Sequence, residues 1–84
     1  MSSTKEFKQQ KTLLFSPVGT PRSGYARYSA AMYFYNLGLL PLELLEIYRR
    51  CCKFDFEDPM LLAVHEGIDT ITPDELLPSK QVAQ

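Results

Sequence analysis

From Gly24 to Cys52 the chain carries all five of its tyrosines and both of its cysteines, and one short break, Gly38 to Pro41, divides the run. That density of large side chains, split once by glycine and proline, constrains the fold more than any other feature. Glycine at 38 suits the left-handed position just past a helix end. Proline at 41 suits the first position of the next helix, where its missing N–H would have had no partner. The stretch therefore reads as two helices joined by a short loop, which makes them antiparallel neighbours.

The first of these helices is expected from about Ser23, acting as N-cap, to Leu37. Tyr25, Tyr28, Met32 and Tyr35 recur at i, i+3, i+7 and i+10 along one stripe, with Ala26, Ala30, Tyr33 and Leu37 beside it. Almost no charge follows Arg27, so most of this helix's circumference needs cover. The second helix, expected over Pro41 to Lys53, is amphipathic. Leu44, Leu45, Ile47, Tyr48, Cys51 and Cys52 form its apolar face, and Glu43, Glu46, Arg49, Arg50 and Lys53 the other. Glu46 and Arg50, four apart, fit an exposed ion pair. Asp58 and Pro59 have the form of a cap and first residue for a short third helix that Gly67 stops. Phe54 and Phe56, just before it, are expected to tuck beneath the helix pair. Thr72-Pro73-Asp74-Glu75 resembles a capping box around a single turn.

Outside this region the signals are sparser. Residues 1–12 are polar and without apolar periodicity, and read as a flexible basic tail. Residues 13–77 read as a single helical domain, and 78–84 as a C-terminal tail. Two prolines and two glycines within residues 13–24 exclude regular helix there. Leu13, Leu14 and Phe15 read as a short extended piece across the helix pair, and Ser16-Pro17 and Thr20-Pro21 as turns. The expected fold class is all-α: a small helical hairpin plus a short third helix, with an extended N-terminal arm.

Size and composition limit what such a fold can do. Eighty-four residues make one domain, and a chain this small hides only about 60% of its unfolded surface. At 45% hydrophobic and 23% charged the mixture is globular. Its longest apolar run, AAMYFYNLGLL, falls short of the roughly 18 residues of a membrane span, so no membrane association is expected. The first twelve residues lack the apolar core of a signal peptide. Adjacent cysteines make a strained disulfide, so Cys51 and Cys52 read as reduced thiols in a cytoplasmic protein.

Chemistry-bearing groups are few. His65 stands alone near a helix C-terminus, where the dipole favours it. Cys51, Cys52 and His65 match no zinc spacing. No catalytic residue, metal or cofactor is expected. In VGTPRSGYAR, two glycines and an arginine lead into a helix start, where free N–H groups bind anions. Arg22, Arg27 and the amides after Ser23 are an anion-binding candidate, although the ending of a nucleotide loop is missing. The third helix, PMLLAVHE, offers nothing to read bases with, and acidic residues precede it.

The chain is basic at the front and acidic at the back, for a net charge of −1. A small nucleic-acid-associated regulator working through the Lys-rich arm is therefore the alternative reading only. The expected function is a non-enzymatic protein-interaction module: a small adaptor, inhibitor or accessory subunit. It would bind a partner protein or itself, as a homodimer, through Tyr25, Tyr28, Met32, Tyr33, Tyr35, Leu44 and Tyr48.

Overall fold

The computed structural model describes residues 3–77, and among them every regular element is helical. Helix α1 spans Ser3–Leu14, α2 Ser23–Asn36, α3 Leu42–Arg50 and α4 Pro59–His65, followed by a 3₁₀ turn at Pro73–Glu75. The all-α class and the central hairpin of α2 and α3 are as the sequence indicates. The N-terminal segment differs. Where sequence pattern suggested a tail and an extended arm, residues 3–14 form a helix. Met1 and Ser2, and the C-terminal tail expected over 78–84, lie outside the described residues.

Why α1 forms is clear once its partner is in view. Its composition, STKEFKQQKTLL, is rich in straight-chain residues that lose little rotamer freedom in a helix. Glu6 in the first turn and Lys11 in the last agree with the helix dipole. Only two of its residues are buried apolar anchors, Phe7 and Leu14, but they lie seven apart and so share a face. Phe7 meets Phe34 of α2 edge-on, with ring centroids 5.1 Å apart and planes at 85°. Lys11 Nζ donates to the carbonyl of Leu76 at 3.0 Å, tying α1 to the end of the described chain.

The hairpin is closed as its glycine implies. Gly38 has φ of 78°, its N–H donates to Tyr35 O, and the next N–H, of Leu39, reaches Phe34 O at 3.0 Å. This is the paired Schellman arrangement. The same device ends α4: Gly67 has φ of 75°, and Ile68 N–H donates to Ala63 O at 2.8 Å. At the α4 start, Asp58 caps the helix by accepting from Met60 N–H at 3.0 Å, with Pro59 at the first helical position.

Other details depart from expectation. Pro41 is the N-cap of α3 rather than its first residue, and α3 stops at Arg50, before the two cysteines. Glu46 pairs with Arg49 at 2.6 Å, not with Arg50, because Arg50 turns to Glu66 beyond α4 at 2.7 Å. Phe54 and Phe56 do not tuck under; Phe56 is 82% exposed.

The core is one cluster drawn from every helix. Phe7 and Leu14 come from α1, Ala30, Ala31 and Phe34 from α2, Leu44, Ile47 and Tyr48 from α3, and Ala63 from α4. Small residues on α2 let it be approached from two sides. Its buried set, Ser23, Gly24, Arg27, Ala30, Ala31 and Phe34, is a single stripe along the helix.

Candidate functional site

The sequence-predicted partner-binding residues separate into three environments. Leu44 and Tyr48 are buried in the core, at 0% and 1% exposure, so they are not surface residues. The apolar face of α3 is spent on α2 and the other helices. Tyr28 and Tyr33 are half-buried against the core, and the Tyr33 ring packs edge-on to Phe34 with centroids 5.0 Å apart. Burial, followed by the negative charge of Glu6, pushes the Tyr33 phenol above its ordinary value. Tyr25, Met32 and Tyr35 point outward, at 57%, 42% and 38% exposure. The spacing i, i+7, i+10 puts these three on the side of α2 away from its buried stripe.

The anion-binding candidates are also separated. The N–H groups at the α2 start are occupied by the chain's own Asp55. Its two carboxylate oxygens each accept one bond, from Arg22 N–H and from Gly24 N–H, both at 2.9 Å. Its carbonyl accepts from Gly19 N–H at 2.7 Å and from the Ser23 hydroxyl at 3.2 Å. Ser23 is therefore not the cap; the capping carboxylate arrives from the α3–α4 connection. The bonds from Gly24 and then Arg22 hold the Asp55 carboxyl below the ordinary carboxylate range. Arg22 itself is exposed and sits in the left-handed region at φ of 66°.

Arg27 is in a different place altogether. It lies on the buried stripe of α2 at 2% exposure. Its Nη2 donates to the carbonyl of Glu57 at 2.9 Å, while Nε and Nη1 are buried without an acceptor. Beside it a partly open cavity of about 310 Å³ lies between the α1–α2 loop, α3 and the start of α4. Arg27, Tyr48, Leu14 and Pro59 are its buried members, and Val18 stands at its exposed margin. The Ser16 hydroxyl, also on its wall, is buried and unpaired. Burial pushes the Tyr48 phenol well above its ordinary value, and the nearby Arg27 charge only partly opposes this.

The remaining reactive groups are dispersed. Cys51 is buried, and burial, with Glu57 next, raises its thiol pKa; Cys52 is half-buried, and both are free thiols. His65 is exposed at the end of α4. Among the described residues no helix is long and apolar enough to cross a membrane. Comparison with protein-family models, with curated proteins and with solved structures found no match.

Sequence reasoning missed two things here. Asp55 reads in sequence as one acid among several, and no local spacing announces a cap acting across 31 residues. Arg27 reads as the last charge before an apolar run. The available signal was that it sits four after Ser23 and three before Ala30, on the stripe of small residues rather than with Tyr25 and Tyr28.

Proposed function

We propose that this protein is a non-enzymatic interaction module that associates with a second copy of itself through the outward stripe of α2. The observation that carries the reading is an uncharged, aromatic strip left exposed on an otherwise well-packed helix. Tyr25, Met32 and Tyr35 are outward, Tyr28 is half-exposed beside them, and no charged residue follows Arg27 on α2. Tyrosine and methionine offer large contact area with adaptable edges, the composition interfaces favour. A strip without charge meets its own copy with no like-charge repulsion to overcome. The inward stripe of the same helix is covered by α1, the end of α3 and the α3–α4 connection, so only this outward strip is assigned to the partner.

The nucleic-acid alternative keeps only part of its basic set: Lys5, Lys8 and Arg22 are exposed, but other basic residues it could draw on are engaged. Arg27 is buried, Lys11 is bonded to Leu76, and Arg49 and Arg50 are each paired with a glutamate.

Sedimentation across a concentration series tests the reading. The wild-type chain is expected to pass from monomer to dimer. Met32→Lys, which sets two ammonium groups into the contact, is expected to stay monomeric with its thermal midpoint almost unmoved, as for an exposed site. A wild-type chain that remains monomeric at every concentration defeats the proposal.

A further inference from the structure

We infer that the cavity beside Arg27 is a binding site for a short aliphatic carboxylate. The argument starts from the arginine. A guanidinium keeps its charge at any ordinary pH and carries five N–H donors. Here one nitrogen has a protein acceptor, the Glu57 carbonyl, and the two others have none. Nor does any carboxylate of the described residues lie within ion-pair distance, since those pairs are Glu46–Arg49 and Glu66–Arg50. A cation withdrawn from water with no carboxylate in direct contact is costly to a domain of this size. Buried donors left open in this way call for a partner, and the adjoining cavity has room for one.

The cavity's other walls define what that ligand is. Leu14, Phe15, Val18 and Met60 supply apolar surface, and the unpaired Ser16 hydroxyl adds one more polar contact. Asp58 also faces the cavity, but one of its oxygens is engaged by Met60 N–H as the α4 cap. Its negative charge weighs more heavily against a doubly charged ligand such as phosphate than against a singly charged one, so the open Arg27 donors favour a single negative charge. A carboxylate is planar, and its two oxygens match one edge of the guanidinium. A volume of about 310 Å³ is at the small end for ligand sites, which limits the body of the molecule to a short chain. The carboxylate could belong to a free acid or to the C-terminus of a peptide with an apolar last residue; both present the same chemistry.

The site is independent of the outward strip of α2, because Arg27 lies on that helix's opposite face. Its test uses the full chain labelled with ¹⁵N, observed through its Arg Nε–H and backbone resonances. Hexanoate at millimolar concentration is expected to shift the Arg27 Nε–H signal and those of residues 14–18 and 58–60, and to raise the thermal midpoint. Hexanamide, the neutral counterpart, is expected to do neither. A short peptide ending in leucine, as acid and as amide, separates the two sources: tighter binding of the peptide acid assigns a peptide terminus, tighter binding of hexanoate a small acid.

Arg27→Met is expected to weaken hexanoate binding about ten- to hundred-fold, the loss of a charge-assisted contact. Val18→Trp, at the exposed rim, closes the mouth without touching the core and is expected to abolish binding in a folded protein. The inference is overturned if hexanoate leaves the Arg27 signal unmoved. It is equally overturned if inorganic phosphate or hexanamide acts as strongly, or if Val18→Trp binds like the wild type.

Discussion

Single atoms decide several features of this molecule, and Gly24 shows how. It occupies the first turn of α2, buried, where α2 crosses the end of α3. A β-carbon added there would lie 2.5 Å from the carbonyl oxygen of Cys52 and 2.9 Å from that of Cys51. Both are backbone atoms and cannot swing aside. In an exposed helix, replacing glycine by alanine is worth up to about 1 kcal/mol in favour of the helix. Here the sign reverses, because the two helices must separate to admit the methyl group. Gly24→Ala is expected to destabilise by about 1–3 kcal/mol, the range for overpacking a tight contact. Denaturant unfolding reads this directly, and a stabilised variant would show that α2 does not approach α3 this closely. Gly38, with open space around it, is needed for the opposite reason: its φ of 78° closes α2, and no neighbour limits its size.

At the scale of elements, the helices whose limits are written locally were legible, and those defined by distant residues were not. Asp58-Pro59 and Gly67 bracket α4 in sequence and in space, and Gly38 ends α2 where the pattern places it. The start of α2 is different. Ser23 has the right chemistry for a cap, but the backbone at Arg22 turns left-handed and offers its N–H groups to Asp55. No window of the sequence contains both partners. The pH dependence of stability follows from this cap. Asp55 has a folded pKa below its ordinary value of 3.8, so its contribution is fully present above that value and is lost as pH falls through the lower one. Asp55→Asn keeps one acceptor oxygen and loses the charge. The variant is expected to melt lower than wild type near neutral pH, with the difference shrinking below about pH 4 as the wild-type carboxyl takes up its proton. Melting curves across acid pH check it, and a difference that persists unchanged at the lowest pH would remove Asp55 from the role of charged cap.

Across the whole molecule the question raised by the tyrosine-rich hairpin is what hides its apolar surface, and much of the answer is α1. Sequence pattern passed over this helix because only two of its side chains, Phe7 and Leu14, are buried apolar anchors, diluted among nine polar positions and the exposed Leu13. Neither propensity nor periodicity in a window that short distinguishes a docked helix from a solvated tail; only the facing stripe of Ala30, Ala31 and Phe34 does. The candidate surface contracted for the same reason, since Leu44 and Tyr48 serve the interior and the outward tyrosines alone remain. If α1 is an integral layer, its anchor carries a core penalty. Phe7→Ala is expected to cost about 3–5 kcal/mol, the range for removing a buried aromatic ring. For a domain of this size that is a large part of the total, which is of order 5–10 kcal/mol. A residue in a tail would change stability by less than about 0.5 kcal/mol. Because the Phe7 ring meets Phe34 edge-on within the core cluster, loss of α1 helicity and loss of hairpin packing should occur in one transition. Helical circular dichroism and tyrosine fluorescence, followed together through urea unfolding, should therefore give coincident curves for wild type and variant. An unshifted midpoint for Phe7→Ala, or a helical signal that fades well before the fluorescence changes, would mean that α1 is attached to the hairpin without helping to hold it together.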